Sequence, residues 1–154
     1  MEIVDLLSPD AIVPNLSVTS KKQTLTELSR RVAEHLGLDQ REVFETLLER
    51  ERLGTTGVGN GIAIPHGKLN SVTRPIGLFA RLEKPVDFDS VDDMPVDLIF
   101  LLLAPETAGA DHLKALARVS RVLRDDAICK KIRGSDQKDA IYALLVDNAH
   151  SHAA

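Results

Sequence analysis

A chain of 154 residues is the length of one domain and long enough to bury a core. Apolar residues make up 44% and charged residues 27%, the balance of a soluble globular protein, and no apolar run approaches the roughly 18 residues of a membrane span. A net charge of -4 argues against nucleic-acid binding, which usually needs a basic face to neutralise phosphates.

The opening Met1-Glu2-Ile3-Val4-Asp5 has neither the basic start nor the apolar stretch of a secretory signal. The single Cys129 cannot form an internal disulfide. Both observations point to a reducing, cytoplasmic setting, with Cys129 as a small buried apolar residue. Ala11 to Leu16 is a weak strand candidate. Ser20, followed three residues later by Gln23, resembles a capping box, and Leu25, Leu28, Val32 and Leu36 then keep a helical period that Gly37 ends. Asp39 and Glu42 repeat the pattern for a second helix, striped by Val43, Leu47 and Leu48 and running to about Leu53.

Short apolar runs between turn residues read as strands. Ile62 to Ile64 is one; Ile76 to Leu82 and Val96 to Ala104 are two more, bounded by Pro75, Pro85, Pro95 and Pro105. The last is almost continuously apolar, as expected of a strand covered on both faces. Helical period returns from Asp111 to Arg124 and near Ile128 to Arg133. Asp136 with Asp139 caps a final helix to about Val146, and Asn148 to Ala154 are expected to fray. These elements predict one α/β domain over residues 1–154, a central sheet with helices on both faces.

The most unusual stretch is Gly54 to Lys68, with four glycines in the eight residues 54 to 61. Its spacing fits neither a nucleotide P-loop, which ends in Gly-Lys-Ser/Thr, nor the dinucleotide fingerprint, which follows a strand and opens a helix. Here the glycines follow a helix and lead into a strand that delivers His66 between Pro65 and Gly67. Proline stiffens the backbone presenting the imidazole, and glycine leaves it uncrowded. A neutral imidazole is a good nucleophile near pH 7, which suits reversible phosphoryl capture. A strand-end histidine satisfied by a backbone carbonyl is the plainer reading, and the residues alone leave both open.

His112 begins the helix whose inward face carries Leu116, Val119 and Leu123. It is either a packing residue behind an Asp111 N-cap or a partner for an anion at the helix N-terminus. Arg50 and Arg52 lie just before the glycines, as dipole-complementing cations or as a guanidinium fork for phosphoryl oxygens. A metal site joining His66, His112 and Asp111 matches no common zinc spacing, and His150-Ser151-His152 reads as a tail. His35 reads as a surface residue.

The run Gly59 to Gly67 (GNGIAIPHG) resembles the active-site signature of enzyme IIA proteins of the bacterial phosphotransferase system, in the mannitol/fructose family. Leu48 through Lys68 looks most like the nitrogen-regulatory branch, and the resemblance extends from about Ile3 to Val146, with His112-Leu113-Lys114-Ala115-Leu116 in the matching order. It implies a mixed β-sheet sandwiched between helices, the mannitol-type IIA fold. It implies that His66 is phosphorylated, that His112 stabilises the phosphohistidine, and that Arg50, counted back from His66, offsets phosphoryl charge. It implies no cofactor and no metal. The donor would be a phosphorylated histidine carrier protein, and the outputs regulatory targets such as potassium transport proteins or sensor kinases. A sugar-specific relay to a membrane permease subunit is the alternative.

Overall fold

The computed structural model describes residues 1–153, with side chains to Asp147, so His150 and His152 lie outside the described side chains. Helix α1 (Ile3–Leu6) and a 3-10 turn (Pro9–Ala11) lead into β1 (Ile12–Leu16), and helices α2 (Lys21–Leu36) and α3 (Gln40–Leu53) follow. Four strands come next as β2 (Gly57–Gly59), β3 (Ile62–Ala63), β4 (His66–Lys68) and β5 (Ile76–Val86), then β6 (Val96–Ala104). Helices α4 (Ala110–Leu123), α5 (Asp126–Arg133) and α6 (Lys138–Ala153) complete the chain.

The expected caps form, with one variation. Ser20 Oγ accepts the Gln23 N–H at 3.1 Å, but Gln23 Oε1 reaches one residue further back, to the Thr19 N–H at 2.7 Å. Asp39 Oδ1 accepts the Arg41 N–H at 3.0 Å, and Gly37 closes α2 in the left-handed region at φ 69°. α6 departs from expectation at both ends. It begins at Lys138, beyond Asp136, and runs past Val146 to Ala153, so the expected frayed end from Asn148 is helical up to that residue.

The sheet is mixed, in the order β1-β5-β6-β3-β2. β1 runs parallel to β5, β5 antiparallel to β6, and both β3 and β4 lie parallel along the far edge of β6. Strand alternation then sorts β6 into two cores. Leu98, Phe100 and Leu102 pack with α1, α4, α5 and α6, whereas Ile99, Leu101 and Leu103 pack with α2 and α3. The sheet is therefore sandwiched between helices, as the resemblance implies. All nine residues of β6 except Asp97 are fully buried, which explains their near-continuous apolar run.

The strands differ from the sequence reading at three points. His66, expected at the end of an Ile62–Ile64 strand, instead opens a separate strand, β4, after β3 stops at Ala63. β5 continues through Pro85 to Val86 instead of ending before it. The proline is tolerated because the β5–β6 register is interrupted between Arg81 and Val86, and pairing with β1 has already ended at Leu82, so no ladder needs its missing N–H. β2 is an unanticipated strand that turns back into β3 through Asn60 and Gly61 at φ 57° and 80°. Two left-handed residues in succession make the hairpin turn whose twist matches its strands. Arg133 holds that turn, donating to the Asn60 carbonyl at 2.7 Å and pairing with Asp97 at 2.9 Å.

Candidate active site

β3 and β4 are successive segments along one edge of β6, separated by Ile64 and Pro65, and this break positions His66. The Ile64 N–H donates to the Thr56 carbonyl at 3.0 Å, and the Pro65 carbonyl accepts from the Leu102 N–H at 2.9 Å. His66 then opens β4 opposite Leu102. Its Nδ1 lies 2.8 Å from the Ile64 carbonyl oxygen. A carbonyl can only accept, so Nδ1 carries the proton and Nε2 carries the lone pair. The plainer sequence reading, a histidine satisfied by a backbone carbonyl, is thus true of one nitrogen and leaves the other free to react.

Arg50 donates from Nε to that Nε2 at 3.2 Å, while its Nη1 is held by the Gly54 carbonyl at 2.9 Å. The choice between the two arginines follows from helical spacing. Thr46, Glu49, Arg50 and Leu53 stand at i, i+3, i+4 and i+7, one face of α3, and all four line an open groove of about 720 Å³ around His66. Arg52 lines the same groove, but Arg50 is the one that meets the ring.

α4 starts at Ala110 with Gly109 at its N-cap, so Asp111 is a first-turn residue and not the cap. His112 follows, 8% exposed, with its ring centroid 5.5 Å from that of His66 and the two planes tilted by 47°. Its Nδ1 is buried without a hydrogen-bond partner among the described residues. The structure therefore brings together all three residues singled out in the sequence. It adds Lys68 to the groove wall. Lys68 was legible in principle, because residues i and i+2 of a strand share a face and His66 opens that strand.

Both imidazoles are held below the ordinary histidine value. For His66 burial is the main cause, reinforced by the Arg50 charge and opposed by the bond to Ile64 and the charge of Glu51. For His112 burial again leads, followed by the charges of His66 and Lys68. A base with a lowered pKa keeps its lone pair to more acid pH, so Nε2 stays unprotonated across the neutral range. We expect His66 to titrate with a midpoint below the ordinary 6.5 in a proton–nitrogen NMR titration. A midpoint at or above the ordinary value would contradict the burial and Arg50 arguments together.

Comparison with known proteins gives the family. Residues 5–148 match the family described as "Phosphoenolpyruvate-dependent sugar phosphotransferase system, EIIA 2". A nitrogen regulatory protein of Bradyrhizobium diazoefficiens is 61% identical over 145 residues, covering 94% of this chain and 95% of the relative. The fructose-specific EIIABC component of Bacillus subtilis is 35% identical over 146 residues, which are 94% of this chain but 23% of that longer protein. The crystal structure of the nitrogen regulatory protein IIA-Ntr from Neisseria meningitidis superimposes with a TM-score of 0.87 at 36% identity, covering 93% of this chain and 98% of that one. The chain belongs to the EIIA 2 family of the phosphotransferase system.

Proposed function

We propose that this chain is a nitrogen-type regulatory phosphocarrier of the cytoplasm, which accepts a phosphoryl group at Nε2 of His66 from a phosphorylated histidine carrier protein. One observation carries the reading: Nε2 holds its lone pair in an open groove, 3.2 Å from the Arg50 guanidinium that would receive the incoming charge. In-line transfer between two imidazoles asks for positioning and charge stabilisation more than for other covalent help. As the Nε2–P bond forms, the donor's P–N bond breaks and its electron pair stays on the donor's ring. Nδ1–H remains on the Ile64 carbonyl throughout. Arg50 moves its hydrogen bond from the nitrogen to a phosphoryl oxygen, and His112 and Lys68 offset the remaining charge.

Regulation is favoured over sugar relay by the 61% identity to a nitrogen regulatory protein against 35% to the fructose-specific one. Residues 3–146 would then act as one such domain whose phosphorylation state informs targets such as potassium transport proteins or sensor kinases. Among the described residues no helix is long and apolar enough to cross a membrane.

The test is to incubate the chain with phosphorylated carrier and its enolpyruvate-driven upstream enzyme, then map the label by mass spectrometry. One acid-labile phosphoryl group on His66 is expected. No uptake, or a label elsewhere, would overturn the reading. A deletion strain with altered potassium and nitrogen phenotypes and normal sugar uptake would separate regulation from the alternative, a relay to a permease subunit.

A further inference from the structure

α3 places an acidic residue where its apolar stripe should continue: Val43, Leu47 and Glu51 recur every fourth position and all three are buried. Taking a carboxylate out of water is costly unless charge and hydrogen bonds replace the water. Here they do. Lys21 Nζ lies 2.8 Å from Glu51 Oε2, and the Thr56 N–H lies 3.2 Å from each carboxylate oxygen. The Thr56 hydroxyl also donates to Oε1. Lys21 is itself fixed, 5.0 Å above the Phe88 ring and 3.6 Å from Asp89.

The position of this carboxylate in the chain gives it a consequence beyond burial. It closes the loop from Glu51 to Thr56, and each end of that loop leads to one side of the reacting pair. At the helix end Arg50 immediately precedes Glu51, and the carbonyl that holds its Nη1 belongs to Gly54 inside the loop. At the other end the Thr56 carbonyl accepts the Ile64 N–H, and the Ile64 carbonyl in turn accepts Nδ1–H of His66. Buried ion pairs are weak contributors to stability, and their best-attested use is to select one arrangement over others.

We infer that Glu51, held by Lys21, is a positioning residue for phosphoryl transfer: it sets the separation and orientation of Arg50 and His66 through the loop it closes. It has a second effect that depends on its charge. When Nε2 bonds to phosphorus while Nδ1 keeps its proton, the ring becomes more positive, and the Glu51 charge, which already favours a positive His66 ring, favours that state as well.

The inference rests on the phosphocarrier reading, and the experiment separates the two. Glu51→Gln keeps size and one acceptor oxygen but loses the charge and the lysine; Lys21→Met removes the countercharge from a partly exposed position that is less demanding of the fold. In the full chain, both variants are expected to accept phosphoryl from phosphorylated carrier protein about ten-fold more slowly, since small displacements of reacting groups are expensive. Nitrogen NMR of Glu51→Gln should show a lower His66 midpoint and a smaller share of the Nδ1–H tautomer. A merely structural ion pair would lower Tm and leave both NMR readouts where they were. Rates within about two-fold of wild type in both variants, with the His66 tautomer unchanged, would overturn the inference. If Glu51→Gln does not fold, Lys21→Met decides it by the same rate and tautomer. If the wild-type chain takes no phosphoryl group, the phosphocarrier reading fails, and the tautomer in the two variants still decides whether Glu51 positions His66.

Discussion

His66→Ala is expected to take up no acid-labile phosphoryl group from a phosphorylated histidine carrier protein, whereas His112→Ala is expected to take it up about a hundred-fold more slowly and to lose it faster. The asymmetry comes from how the two rings are held. His66 has one nitrogen committed to the Ile64 carbonyl at 2.8 Å and the other turned toward Arg50 and the groove, so its lone pair is fixed in place. On the proposed reading, removing it removes the bond-forming atom, and no neighbour would restore that. His112 is the more buried of the two, with Nδ1 unpartnered among the described residues. On the proposed reading a ring so placed would stabilise charge that appears nearby, and loss of one such group typically costs about 10²-fold or more in rate. The check is time-resolved labelling of both variants followed by acid treatment. Label persisting on His66→Ala and mapping to His112 would reverse the two roles; undiminished uptake by His112→Ala would deny it any part.

How much of this could be read from the sequence depended on the range of the cause. The Pro65-His66-Gly67 frame is local, and so are the caps at Ser20 and Asp39; each specifies its own backbone geometry within a few residues. The long apolar run of β6 announced a strand covered on both sides, because burial on two faces removes the alternation that one face would leave. The hairpin into β3 was also written locally, in Asn60-Gly61, but β2 has only three residues, two of them glycine, and carries no strand pattern. β4 is equally short and exists because β6 offers it a free edge. Non-local causes were not legible. The resemblance pointed to Arg50, but the chemistry of the residues themselves separates it from Arg52 only once the face of α3 that meets β4 is known. Glu51 reads as an ordinary charged residue near a helix end until Lys21, thirty positions earlier in the chain, is found against it. Pro85 bounds a strand in sequence but sits inside one in space, where an irregular register leaves its nitrogen unneeded.

The second large effect is expected at Gly67, where the obstacle is a single methyl group. An added Cβ would stand 2.5 Å from Thr46 Cγ2, with the next nearest atoms, Thr46 Cβ and the Thr46 carbonyl oxygen, at 3.8 and 3.9 Å. Threonine is confined to two χ1 wells within a helix, so the methyl yields only by a full rotamer change that also turns the hydroxyl. The alternative is for α3 to draw back from β4. Arg50 lies one turn beyond Thr46 and would go with it, lengthening the 3.2 Å approach of its Nε to His66. A displacement approaching an ångström between groups that must act together can cost about 10²-fold, equivalent to roughly 2.7 kcal/mol of barrier. We therefore expect Gly67→Ala to accept phosphoryl about a hundred-fold more slowly while remaining folded, since the backbone at this glycine is not in the left-handed region that alanine resists. Thr46→Ala in the same chain removes the methyl and should restore most of the rate. A double-mutant cycle reads this directly, because the two substitutions act through one contact and their effects should be far from additive. A Gly67→Ala chain as fast as wild type, or a double variant no faster than Gly67→Ala, would mean that the close approach of α3 to β4 is not what holds Arg50 against the imidazole.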